Sequence, residues 1–199
     1  MSDRHTFRAD WHAYNDGVFF VTICAKDKQH FFGKITNGKI NYSTTGNIIN
    51  KCLLAIPHHH NDVELWSHIV MPNHIHMVLS ISAAAAPAHH NQIHTNAPMH
   101  PTSSAPTPHT GCLKPPQHDD PRNENHFNSR LAVIIRSFKA ACTAEVNQHR
   151  RAQNIAPLQI WQRNYHEHII RNRRELGLII NYIDNNISTW THDCYRNSL

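Results

Sequence analysis

Residues 68–81 read HIVMPNHIHMVLSI, and this stretch decides the fold. An apolar run, VELWSHIVM, ends at Met71, and a second, HIHMVLSI, starts at His74. Pro72-Asn73 between them is turn chemistry, since Pro fixes φ and Asn tolerates the geometry that follows. Two β-strands joined tightly are therefore expected. Side chains alternate across a strand, so Ile75, Met77, Leu79 and Ile81 face one way and His74 and His76 the other. Two imidazoles about 7 Å apart along a strand can converge on one divalent ion. The competing reading is two unrelated, half-exposed histidines in a histidine-rich chain, and a bare H-x-H does not choose between them.

Working outward, VFFVTICA at 18–25 reads as a buried strand. ITNGKINY places Asn37-Gly38 between Ile35 and Ile40, the signature of a type I′ hairpin. In TTGNIINKCLLAIP, residues Ile48, Ile49, Cys52, Leu53 and Ile56 follow helical spacing, with Thr44 or Thr45 as cap and Pro57 as stop. Beyond the gap after Ile81, SRLAVIIRSFKAACTAEVNQHRR carries Leu131, Ile134, Ile135, Phe138, Ala141 and Cys142 on one helical stripe. IWQRNYHEHII reads as an irregular segment entering a strand. NRRELGLIINYIDNN reads as a helix, with Asn172 as N-cap, Glu175 at the third position and a stripe of Leu176, Ile179, Ile180 and Ile183. The order β-β-β-α-β-β, insertion, α-β-α gives an α+β domain with helices packed on one face of a mostly antiparallel sheet.

Three parts are expected along the 199 residues: 1–82, the first part of the domain; 83–126, an insertion; and 127–199, the second part. The insertion holds eight of the eleven prolines and no aromatic residue. Such a composition buries too little surface to order itself, so a flexible segment is expected there.

The net charge is +5 with histidine neutral, a mild bias toward nucleic-acid partners. Arg136 and Lys139 on the long helix are candidates for DNA contact, although a solvated basic face explains them equally. The five cysteines are far apart with no C-x-x-C, which argues against a disulfide framework and a cysteine zinc site. No apolar run approaches the roughly 18 residues of a membrane span, and the polar N-terminus shows no secretory signal. A cytoplasmic location without a membrane partner is expected.

Several pieces together resemble a known family. H-hydrophobic-H after VMPN resembles the HUH motif of single-tyrosine DNA endonucleases. FFVTICAKDKQHFFGKI, VELWSHIVMPNHIHMVLSI, IIRSFKAACT, WQRNYHEHIIRNRREL and YIDNN followed by a Trp are similar, in the same order, to the REP-associated tyrosine transposases and short insertion-sequence transposases of bacteria. The resemblance covers most of the chain outside the insertion. It implies a ferredoxin-like (RRM-like) α+β fold of the HUH endonuclease type and a nucleophile at Tyr182. The implied cofactor is a divalent metal, Mg²⁺ or Mn²⁺, held by His74, His76 and Asn186. The spacing is physically sensible, because residues four apart share one face of a helix. A half-buried structural tyrosine is the plainer reading of Tyr182.

Tyr165 is the rival nucleophile, without an amide partner at helical spacing. His168, with His166 and Glu167, is a candidate for support of the site or for phosphate contact. Two departures from the family stand out: Asn186 in place of the Gln of some branches, and the long insertion. The implied substrate is single-stranded or hairpin DNA, cut through a 5′-phosphotyrosine, by a monomer or homodimer that joins the nucleoid when on DNA. The alternative is a domesticated, non-catalytic nucleic-acid-binding protein on the same fold. An amidohydrolase barrel, which also uses H-x-H, needs about 250 residues of β/α repeats that this chain lacks.

Overall fold

A computed structural model describes residues 15–82, 129–193 and 195–196. The insertion expected at 83–126 lies outside the described residues. Strand β1 (Gly17–Cys24) leads through a short 3-10 turn to the hairpin β2 (Gly33–Thr36) and β3 (Lys39–Tyr42). Helix α1 (Thr44–Leu54) and the single turn α2 (Ile56–His59) follow, then β4 (Val63–Val70) and β5 (His74–Ile81). Helix α3 (Arg130–Ala152), β6 (His166–Ile170) and α4 (Arg173–Thr189) complete the order.

The main sheet runs β4-β5-β1-β6, with every pairing antiparallel. Setting aside the β2–β3 hairpin, which forms its own two-stranded sheet, this is the βαββαβ ferredoxin-like topology. The expected α+β architecture is therefore present.

Local chemistry explains the elements. Asn37 and Gly38 both take positive φ, 52° and 69°, as a type I′ turn demands. Helix α1 is capped by Ser43, one residue before the expected threonines, and its side chain accepts from the Gly46 amide. Pro57 does not stop α1; α1 ends at Leu54, and Pro57 sits in the first turn of α2. Asn172 caps α4 as expected, accepting from the Glu175 amide, and Glu175 Oε2 accepts in turn from the Arg171 amide.

One sheet face packs Phe19, Val21, Ile23, Ile75, Met77, Leu79 and Ile81 against Ile49 and Leu53 of α1 and Leu131, Ile134, Ile135 and Phe138 of α3. The opposite face is covered too. Ile179 and Ile183 of α4 bury against Val78 and Ile170, with Phe20, Ile69 and Tyr182 packed beside them. The reason is visible in α4 itself: its apolar stripe needs a partner, and β1, β5 and β6 offer apolar side chains on that face. The histidine pair thus lies on a covered face, not an outward one.

Gly46 shows how tightly the α1 side is set. A Cβ there would stand 1.9 Å from the Phe32 carbonyl oxygen. In an exposed helix, Gly→Ala stabilises by about 1 kcal/mol. Here the clash is with backbone, so Gly46→Ala is expected to destabilise by about 1–3 kcal/mol or more. An unchanged or raised urea midpoint would contradict this.

Candidate active site

Register places the site residues. His76 pairs with Thr22 and His74 with Cys24 across β5 and β1. Thr22 pairs in turn with His166 and Phe20 with His168 across β1 and β6. Paired residues share a sheet face, so all these side chains lie on the face that α4 covers.

His74 and His76 are 0% and 1% exposed. Their Nε2 atoms are 3.0 Å apart. Asn73 Nδ2 donates to the main-chain oxygens of Lys28 (3.1 Å) and Tyr195 (2.7 Å). Its Oδ1 therefore faces His74 Nδ1 at 2.9 Å as an acceptor, which fixes the His74 proton on Nδ1 and leaves a lone pair on Nε2. His76 Nδ1 lies 2.8 Å from Thr22 Oγ1. A hydroxyl donates or accepts, so Thr22 serves either tautomer of His76. Partners of this kind on the far ring nitrogen orient metal-binding histidines.

Helix α4 brings in the other two groups. Tyr182 Oη stands 3.3 Å from His76 Nε2, and its ring meets His76 and, edge-on, Phe20. Asn186, 1% exposed, lies one turn on. Neither its Nδ2 nor its Oδ1 finds a hydrogen-bond partner of ordinary geometry, yet the amide is near enough to hold down the Tyr182 pKa. Burial outweighs that influence and raises the phenol above its usual value, with the Asp193 charge adding to the rise.

Burial also dominates the imidazoles. It pushes His76 down to about 3. It drives His74 well below the ordinary value, and the nearby His76, Lys28 and His30 add to the fall. Both rings are neutral at pH 7, the state a metal ligand requires. Because the folded value lies below 6.5, the unfolded chain takes up the proton first as pH falls. Stability present above pH 6.5 is lost progressively toward pH 3. At about pH 4.5, His76 alone accounts for about 3 kcal/mol. Urea denaturation in chelator at about pH 7.5 and about pH 4.5 measures this; equal midpoints would contradict a neutral buried pair.

The spacing of the two imidazoles admits one shared divalent ion. Two ligands on one ion at about 2.1 Å each stand at most about 4.2 Å apart, and the two Nε2 atoms satisfy that bound. The buried Asn186 amide supplies an oxygen without another partner. Among the described residues, no three His, Cys, Asp or Glu side chains form a ready coordinating cluster.

The remaining candidates lie elsewhere. Tyr165 belongs to the core on the α1–α3 face, across the sheet from His76. His168 Nε2 meets Glu175 Oε1 at 2.6 Å and ties β6 to the first turn of α4, which carries Tyr182. Arg136 is exposed on α3, the helix of the opposite face. Lys139 donates to the main-chain oxygens of Gln162 and Arg163, fastening the segment before β6.

Sequence reasoning missed the segment after α4. Trp190 and Tyr195 lie over His74, with ring centroids 6.0 and 4.6 Å away. Asp193 Oδ2 comes within 3.7 Å of His74 Nε2. This tail has no periodicity to flag it. Asn73 and Thr22 were also missed, although the register of the adjacent strands would have pointed to Thr22.

No known family profile matches the chain. An uncharacterized protein of Haemophilus influenzae is 28% identical over 191 residues, 96% of this chain and 91% of that protein. Among solved structures, a REP-associated tyrosine transposase bound to a REP hairpin aligns with TM-score 0.49 and 14% identity, over 97% of this chain and 76% of that one. A Deinococcus radiodurans protein assigned as a transposase aligns with TM-score 0.42 and 13% identity, over 93% and 97%. No helix among the described residues is long and apolar enough to cross a membrane.

Proposed function

We propose that the protein is a metal-dependent transposase-type enzyme that cuts and rejoins single-stranded or hairpin DNA through a covalent bond to Tyr182. One observation carries the reading: the Tyr182 hydroxyl stands 3.3 Å from His76 Nε2, beside an imidazole pair with buried, neutral rings. The sequence resemblance supports the same roles.

His74, His76 and the Asn186 oxygen would hold the ion. When bound, a divalent cation supplies positive charge to the non-bridging oxygens of the scissile phosphate as negative charge grows there. Every other part falls to the chain. Asn73 and Thr22 fix the ring orientations. The stripe of Ile179 and Ile183 seats α4, and the His168–Glu175 pair fastens its first turn, so the phenol is aimed before substrate arrives. Tyr182 gives up its proton as its oxygen bonds to phosphorus. The bond from phosphorus to the 3′ oxygen breaks, and that oxygen leaves as a hydroxyl. A 3′ hydroxyl attacking the phosphotyrosine reverses the step, so rejoining needs no ATP. The rings are fully covered in this arrangement, so DNA entry requires Tyr195 and Trp190 to shift. Bacterial cytoplasm, with the nucleoid as site of action, belongs to the same reading.

The test is cleavage of end-labelled hairpin and single-stranded oligonucleotides with Mn²⁺, with Mg²⁺ and with chelator. The expected result is metal-dependent nicking that leaves free 3′ hydroxyls. DNA binding with no cleavage under any metal would favour the non-catalytic reading instead.

A further inference from the structure

We infer that Cys52 and Cys142 form a peroxide-reactive thiol pair that closes a reversible disulfide between α1 and α3. The pair lies on the sheet face opposite the histidines, and the inference does not depend on the proposed DNA chemistry.

The first consideration is placement. Cys142 is 0% exposed in the core that α3 shares with α1. Cys52, half-buried on α1, packs against that same core. Both thiols are free, and they hydrogen-bond to one another across the seam of the two helices. One sulfur is thus open to a small oxidant while the other waits behind it. A reacting and a resolving thiol need this division.

The second is the proton path. Residues 142 and 145 are three apart on α3 and share a face, so Glu145 meets Cys52 as well. Cys52 donates its thiol proton to Glu145 Oε2 at 3.5 Å. Lys51 Nζ donates to Glu145 Oε1 at 2.8 Å, which holds the carboxylate in place and keeps its pKa below the usual value. The Cys142 contact holds the Cys52 thiol below its ordinary value, against burial. Burial, followed by that same contact, pushes Cys142 up. Cys52 is therefore the thiol that gives up its proton first, and the thiolate is the nucleophile.

The oxidant is hydrogen peroxide. Cys52 Sγ attacks one peroxide oxygen as its proton passes to Glu145, and the O–O bond breaks. The departing hydroxide recovers that proton as water, leaving Cys52 as a sulfenic acid. Cys142 Sγ then attacks Cys52 Sγ, the S–O bond breaks, and the hydroxyl leaves with the Cys142 proton as a second water. Two thiols lose two electrons and two protons, and one peroxide becomes two waters. A thiol reductant reverses the bond by exchange.

The experiment treats the folded full chain with hydrogen peroxide in chelator, blocks the remaining thiols, and maps the digested monomer by mass spectrometry without reductant. The expected product is a peptide pair linked through Cys52 and Cys142, lost on adding dithiothreitol. In Cys142→Ser the resolving thiol is gone, so Cys52 is expected to be trapped by dimedone as the sulfenic acid, at least about tenfold more than buried Cys24. If Cys142→Ser fails to fold, Cys142→Ala takes its place. Cross-linking α1 to α3 restricts the unfolded chain, so the oxidised wild type is expected to melt about 5 °C or more above the reduced form. Both thiols free after peroxide, Cys52 driven on to sulfinic acid beside a free Cys142, or a link found only between two chains overturns the inference. A lowered melting temperature on oxidation overturns it too, because the native seam would then not accommodate the bond.

Discussion

Tyr182→Phe is expected to abolish cleavage and covalent capture of DNA while leaving the fold and DNA binding in place. The substitution removes one oxygen and almost no volume. The ring keeps its edge-on packing on Phe20 and its place beside the α4 stripe. What disappears is the oxygen that the proposed mechanism uses to attack phosphorus, and removal of a nucleophile costs on the order of 10⁴–10⁶ in rate. Binding depends on backbone charge and base stacking, so the dissociation constant should move by less than about threefold, well under 1.4 kcal/mol. Tyr165→Phe is the informative control. Tyr165 lies in the core across the sheet, so its loss should alter stability more than chemistry. Cleavage surviving in Tyr182→Phe and failing in Tyr165→Phe would move the nucleophile to the segment before β6.

His74→Ala and His76→Ala are expected to cost at least about 10²–10³ in metal-dependent cleavage each, the scale of losing one preorganised electrostatic contact. The folding cost is larger than an outward-facing pair would give. His76→Ala leaves the Thr22 hydroxyl without its buried partner, and His74→Ala leaves the Asn73 oxygen without its donor. Each orphaned group costs about 1–3 kcal/mol. Cleavage is therefore compared at a temperature where melts show each variant folded. Full activity in a folded double variant would contradict a metal held by these rings.

Much of the fold was legible because local signals agreed with the global pattern. The alternation in HIHMVLSI, the Asn37-Gly38 turn and the Asn172 cap each named an element that is present. The covering of both sheet faces was harder to read. The α4 stripe showed that the helix buries one side, but a stripe does not say which face of a sheet receives it. For the same reason the cover over the histidines was not legible: alternation separates two faces of a strand and is silent on what lies above each. Tyr182 and Asn186 were legible through helical spacing and the resemblance; the structure sets the Tyr182 hydroxyl beside His76 and buries Asn186 next to Tyr182. Arg136 and Lys139 were read from charge alone, which does not distinguish a DNA contact from the anchoring that Lys139 performs on the Gln162 and Arg163 carbonyls. Asp193 and Tyr195 lie in a tail without periodicity, and only the path of the chain after α4 brings them to the site.

The most direct measurement is covalent trapping. Wild-type protein is incubated with single-stranded or hairpin DNA and Mn²⁺, denatured, digested, and the nucleotide-bearing peptide sequenced by mass spectrometry. The expected result is one adduct, on Tyr182, joined to a 5′ phosphate. An adduct on another residue, or cleavage with no protein–DNA adduct, would contradict the assignment of Tyr182 as nucleophile.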